Sequence, residues 1–141
     1  MDHLTWNDKY FVGLKVLDDQ HLELFANLNR LHQAMTSGLG PSVTGPLIST
    51  LMEATRRHFV REEEILAELG YPGLESHHTQ HLELIRRAQA YCTRYRCGQN
   101  PLSPHLLNFL RDWFAHHLQT SDHAYATWCK EHAQGQEVRV P

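Results

Sequence analysis

Along four stretches of the chain the apolar residues step by threes and fours, and the steps repeatedly land on histidine. The first runs Leu17, His21, Leu24, Leu28, Leu31, Met35, and the second Leu47, Leu51, Ala54, His58, Glu62, Ile65, Leu69. The third runs Leu74, His77, His81, Leu84, Ala88, Tyr91, Tyr95, and the fourth Leu106, Leu110, Trp113, His117. A seam of this rhythm lies on one face of an α-helix and turns that face toward a shared core. Breakers separate the stretches: Ser37-Gly38-Leu39-Gly40-Pro41, Gly70-Tyr71-Pro72-Gly73 and Gly98-Gln99-Asn100-Pro101. Ser103 followed by Pro104 then reads as a helix cap and a first-turn proline. The spacing predicts helices over 18–37, 42–69, 74–97 and 103–130, with an N-terminal arm (1–17) and a polar tail (133–141). Short connections between long helices favour an all-α, antiparallel up-down-up-down four-helix bundle, one domain over 1–141.

Six seam positions carry polar groups where a core demands apolar ones: His21, His58, Glu62, His77, His81 and His117. Each would cost about 1–3 kcal/mol if buried without a partner, and a charged glutamate more. The chain has 12 histidines among 141 residues. Chance alone then supplies roughly one pair of histidines four apart, and roughly one histidine four before an acid, which is the spacing that shares a helix face. Either pair alone means little. Their gathering on the core seams of four helices means more, and such groups must satisfy one another or bind something.

Residues four apart stand one above the other on a helix and reach one ion. His77 and His81 therefore suit one metal, while His58 and Glu62 suit a second, or the carboxylate spans both. Asp122 follows His117 by five, about 140° round an α-helix, so that pair does not share a face. It lies instead on a stripe adjoining the seam. Five imidazoles and two carboxylates exceed what one ion uses and fit two six-coordinate ions bridged by Glu62 and Asp122. Imidazole serves iron, zinc, copper and nickel alike, so ligand type leaves the metal open. The alternative is a histidine-rich core network without metal. Off the seams, His3, His32, His78, His105, His116, His123 and His132 read as solvated surface residues. Glu63 and Glu64 read as an exposed face.

Composition removes other classes. Net charge is −3 with pI near 6.4, which excludes a globally basic nucleic-acid binder and gives no reason for an anionic membrane partner. The apolar runs are too short to span a bilayer, and the first residues show no secretory pattern. A cytoplasmic setting is expected, with Cys92, Cys97 and Cys129 as reduced thiols.

Several motifs together are specific. They are Trp6 with Tyr10-Phe11-Val12-Gly13, Leu17-Asp18-Asp19-Gln20-His21, Leu24-Phe25 with Asn29, and His58-Phe59-Val60-Arg61-Glu62-Glu63. Gly70-Tyr71-Pro72, His77-x3-His81 and Trp113-x3-His117-x4-Asp122 complete them. From about Trp6 to Asp122 the chain resembles the hemerythrins, most closely the single-domain bacteriohemerythrins. The resemblance implies a non-heme di-iron centre. His77, His81 and His117 would bind one iron and His21 and His58 the other. Glu62 and Asp122 would bridge them alongside an oxo or hydroxo group. It implies reversible O2 binding at the iron with two histidines, with no protein acid or base required and small anions such as azide as alternative ligands. Leu24, Phe59, Trp113, Phe114 and Leu118 fall within a turn of ligands and are the expected wall of a dry pocket. Phe114 departs from the family's usual leucine, and its larger ring is expected to narrow ligand access.

The function expected is a non-enzymatic O2 carrier, store or delivery protein. A sensor of O2, NO or redox state acting through a separate partner is an alternative. So is a di-iron enzyme acting on peroxide or NO. Ferritin-like oxidation chemistry fits poorly, because the chain's Glu75-x-x-His78 is single and off the seam.

Overall fold

The computed structural model describes residues 10–132. Five α-helices follow in order: α1 (Lys15–Thr36), α2 (Pro41–Leu69), α3 (Leu74–Tyr95), α4 (Pro104–His117) and α5 (His123–His132). A single π turn, Leu118–Asp122, joins the last two into one continuous rod. α1 packs on α2, α2 on α3, α3 on α4, and α4 back on α1, closing a four-membered ring. The short connections make neighbours antiparallel. The observed ends lie within three residues of the expected ones. His3, Trp6 and the expected tail fall outside the described residues. The expected arm ends early, because α1 begins at Lys15.

Local chemistry sets the ends. Pro41 opens α2 with a ring that supplies helical φ and gives up an amide no helix would use. Gly70 closes α2 at φ 73°, while the Tyr71 amide returns 3.0 Å to the Leu66 carbonyl. That left-handed stop favours glycine. Ser103 caps α4, its hydroxyl accepting the His105 amide at 3.1 Å. Asp18, one turn into α1, accepts from the Val12 amide at 2.8 Å and the Gly13 amide at 3.2 Å. It thereby ties the incoming chain to the bundle.

The loop between α3 and α4 lies hard against α2. A Cβ on Gly45 would stand 2.7 Å from the Gly98 Cα, so the two backbones touch where any side chain would part them. Where this loop leaves α3, Cys92 in the last turn of the helix and Cys97 in the loop form a disulfide, in place of the reduced thiols expected. The reason is the left-handed turn at Arg96 (φ 53°), which returns the Cys97 amide to the Cys92 carbonyl and the two Cα atoms to 4.8 Å. Cys129 is a buried free thiol. Among the described residues no helix is long and apolar enough to cross a membrane.

The core divides into two main apolar clusters. One gathers Leu24, Leu28, Leu51, Leu84, Leu110 and Phe114 with their neighbours. The other gathers Val12, Leu14, Leu17, Ile65, Leu66, Tyr125 and Ala126. Along each helix the polar seam residues fall at the crossing from one cluster to the other: His21 between Leu17 and Leu24, Glu62 before Ile65, His81 before Leu84, His117 after Leu110. Register therefore stacks them as one polar layer sealed at both ends.

Candidate metal centre

All seven side chains of that layer are buried, and Glu62 is 0% exposed. The Glu62 carboxylate meets His77 Nε2 at 2.5 Å, His81 Nε2 at 3.1 Å, His58 Nε2 at 3.2 Å and His21 Nε2 at 3.4 Å. The Asp122 carboxylate meets the Nε2 atoms of His77 and His117 at 3.0 Å and of His21 at 3.2 Å. Both carboxylates thus reach into both histidine groups. Two sets of donor atoms are tight enough to share an ion: Glu62, His77, His81 and His117, and His21, His58 and Glu62.

Asp122 joins His117 through the π turn. Five steps in an α-helix would set the two apart. The wider i→i+5 turn brings them onto one face, and the His117 cap gives way to Leu118–Asp122 without a break. The sequence signal was the five-residue spacing itself, which calls for one residue more than an α turn holds.

Three imidazoles are fixed from outside. His58 Nδ1 lies 2.7 Å from Gln20 Oε1, His117 Nδ1 3.0 Å from Gln80 Oε1, and His81 Nδ1 3.0 Å from Glu63 Oε2. Ser121 Oγ donates to the same Gln80 oxygen at 2.5 Å. These oxygens only accept, so each Nδ1 donates, and each Nε2 of a neutral ring then turns a lone pair inward. The Nε2 atoms of His81 and His117 then face each other at 3.2 Å. Two lone pairs at that distance repel unless a cation, a proton or a metal ion, lies between them. His21 has neither ring nitrogen hydrogen-bonded, and neither Asp122 oxygen is, despite the three close imidazoles. The donor atoms converge within a few ångströms of one another in the middle of the layer, as the ligands of a shared ion do. Imidazole and carboxylate together are donors that iron accepts, so the residues present fit it.

Charge balance without metal falls on protons. Burial opposes protonation of His21 and His77, but Asp122 and Glu62 outweigh it and raise the two to about 9 and about 10. Burial dominates at His58 and lowers it. Burial pushes both carboxyl groups up, yet the surrounding imidazoles hold Glu62 and Asp122 well below the usual carboxylate range.

One titratable neighbour was not expected. Tyr125, 0% exposed, donates its hydroxyl to Glu62 Oε2 at 3.1 Å. Burial, then Asp122 and Glu62, keep that phenol protonated far above its ordinary range. Tyr125 stands three residues after Asp122 in the sequence, but nothing in that spacing aims its hydroxyl at Glu62.

The five pocket candidates do not share one wall. Leu24 borders a cavity of about 180 Å³ that reaches His58, lined also by Gln20, Glu23, Ala54 and Arg57. Phe59 stacks on His81 at 3.7 Å and Trp113 on His117 at 4.4 Å, both on the three-histidine side. Phe114 is buried in the larger apolar cluster, edge-on to Trp113 at 5.5 Å. Leu118 packs with Tyr10 and Phe25. Two surface readings also change. His32 is buried, because it sits on the inner side of α1 opposite Thr44 and Leu107. Glu63 is only partly exposed, and both its oxygens are engaged by histidines.

The family profile described as the hemerythrin HHE cation binding domain matches residues 12–129. A bacteriohemerythrin of Stenotrophomonas maltophilia is 35% identical over 129 residues, 92% of this chain and 83% of the relative. A myohemerythrin of Sipunculus nudus is 26% identical over 124 residues, 88% of this chain and 92% of the relative. The crystal structure of a wild-type hemerythrin superposes with a TM-score of 0.81 at 25% identity, covering 89% of this chain and 97% of that one. With its polar layer set between two apolar clusters of a four-helix ring, the chain belongs to the hemerythrin family.

Proposed function

We propose that this chain holds two iron ions in the polar layer and binds O2 reversibly at one of them, without turning it over. His77, His81 and His117 would hold one ion, His21 and His58 the other, and Glu62 and Asp122 lie within reach of both groups. The unequal count carries the reading. The ion with two histidines would be short of a protein donor, and His58 borders the cavity beside Leu24. An open position next to a route for small molecules is what a binding centre needs. When bound, the iron pair supplies the electrons that O2 takes up and returns.

The protein's own part is placement and exclusion. Gln20, Gln80 and Glu63 hold three imidazoles with their inner nitrogens free to bind. Phe59 and Trp113 lay flat rings over His81 and His117 and keep water from that side. Tyr125 retains its proton and donates it to Glu62, fixing the orientation of that carboxylate. The two acids offset charge that would otherwise be stranded in a dry layer. Small anions such as azide would enter by the same cavity.

The test is a spectrum of the reduced, iron-loaded protein before air, after air and after deoxygenation, with metal analysis alongside. Two irons per chain and a reversible change are expected. Irreversible oxidation would favour a redox sensor over a carrier, turnover of added peroxide would make the chain an enzyme, and one tightly held zinc with no iron uptake would end the di-iron reading.

A further inference from the structure

Of the outer partners that fix the inward-facing imidazoles, two are neutral amides: Gln20 on His58 and Gln80 on His117. The third is a carboxylate. Glu63 follows Glu62 on α2, yet its side chain turns the other way, outward along α3. There Oε2 takes the Nδ1 proton of His81 at 3.0 Å, and Oε1 takes that of His78. His78 and His81 are three apart on α3, one face of one turn, so a single carboxylate is held at both oxygens by one helix. The side chain of His78 is half exposed, that of Glu63 is 22% exposed and that of His81 is 2% exposed. The three form a line from solvent to the centre: imidazole, carboxylate, imidazole.

We propose that Glu63 is a positioning residue for the metal centre, acting through His81, and that His78 is the clamp that keeps it in place. A carboxylate accepts and never donates, so His81 is locked with its proton on Nδ1 and its lone pair on Nε2 facing Glu62 and His117. A charged acceptor forms the stronger hydrogen bond, and an outer partner of this kind makes a ligating imidazole a better donor. Among the described residues, His81 is the seam histidine whose outer nitrogen meets a carboxylate. The three-histidine ion is thereby held more firmly than its neighbour, whose His58 has only an amide behind it. That asymmetry leaves the two-histidine ion as the exchangeable, ligand-binding partner.

This assignment rests on the metal-centre reading above, and its test separates the two. Full-length protein would be prepared as wild type, Glu63→Ala, Glu63→Gln and His78→Ala. Three quantities would be measured: the rate at which a chelator strips iron from the oxidised protein, the ¹⁵N NMR signals of His81 in zinc-loaded protein, and the melting temperature. Glu63→Ala should lose iron about 10–100-fold faster and change the His81 Nδ1–H signal, with little change in melting temperature because Glu63 lies at the edge of the bundle. Glu63→Gln keeps an acceptor oxygen without the charge, and should recover the Nδ1–H signal and part of the retention. His78→Ala should fall between wild type and Glu63→Ala. Equal release rates in wild type and Glu63→Ala, or an unchanged His81 signal, would overturn the assignment while leaving the metal centre standing. A wild type that takes up neither iron nor zinc would instead sink the metal-centre reading, and this assignment with it.

Discussion

Removing the Glu62 carboxylate is the sharpest perturbation the polar layer allows. Glu62 touches four imidazoles within 3.4 Å and accepts the Tyr125 hydroxyl, all out of water. Breaking a buried ion pair by deleting one partner costs about 3–5 kcal/mol. Orphaning a buried hydroxyl costs about 1–3 kcal/mol. The two overlap, because the layer repacks once, so about 4 kcal/mol is the expected loss for metal-free Glu62→Ala. For a domain of this size that is a fall of about 8–16 °C in melting temperature. Glu62→Gln keeps an acceptor for Tyr125 and loses only the charge, so it should fall less. His105→Ala is the surface control, within about 0.5 kcal/mol of wild type; His32, being buried, would not serve. Thermal melts of metal-free protein at neutral pH measure these differences, and metal analysis after loading measures the second consequence. Glu62 reaches both histidine groups, so Glu62→Ala should lose both irons. A variant that melts with wild type and carries two irons would refute the bridging role and the account of the layer's energetics together.

The metal-free protein should also depend on pH in the alkaline direction. His21 and His77 are raised to about 9 and about 10, so their contribution is complete below the ordinary histidine pKa and is lost as pH rises through those values. Melting temperature should therefore drop between pH 8 and 11 without metal and hold with metal bound; a flat metal-free profile would contradict this. Gly45→Ala forces a Cβ to 2.7 Å from the Gly98 Cα and should cost about 1–3 kcal/mol by overpacking, read from urea denaturation; a neutral result would mean the α3–α4 loop is free to lift. Phe114→Leu should keep both irons and cost about 1–2 kcal/mol, in lost volume and in the edge-on contact with Trp113. Azide should enter the oxidised centre of that variant at the wild-type rate by stopped flow, because Phe114 does not line the cavity that reaches His58; faster entry would make Phe114 a gate, as its place in the sequence suggests.

What the chain announces, and what it hides, follows from where information lies. Four apolar seams in 3–4 rhythm specify four helices, because burial of a face is what turns a pattern into a helix. Polar residues on those seams stand out, since each violates the pattern at a known cost. The outer acceptors do not stand out. Gln20, Glu63 and Gln80 occupy positions where a solvated residue is ordinary, and only the packing of neighbouring helices reveals what they touch. Glu63 next to Glu62 reads as more of the same charge, although one faces the core and the other does not. His32 reads as surface because it lies off the seam of α1, yet the inner face is wider than a single seam. The Cys92–Cys97 pairing depends on a left-handed turn at Arg96, a conformation a non-glycine residue seldom signals.

The π turn shows how one residue of excess length can be absorbed where a ligand must not move. In an α-helix four steps rotate a side chain by about 40° net, and five by about 140°. His117 and Asp122 are five apart and still meet at 3.0 Å, because the turn between them is wider by one residue. Removing that residue should therefore restore a plain α-helix and leave Asp122 on the face of His117, now at the ordinary spacing of four. Thr120 is the one to delete: it is exposed, and its side chain only returns 2.7 Å to the His116 carbonyl of its own helix. Its loss shifts every later residue by one position along the rod but keeps α5 nearly in phase. The expected outcome is a folded protein that still retains both irons and loses the Ser121 contact to Gln80, since Ser121 moves with the turn. Metal analysis and the spectrum of the loaded variant decide it. Loss of both irons from a folded Thr120 deletion would show that the wide turn itself, and not merely the facing of Asp122 toward His117, is what the centre requires.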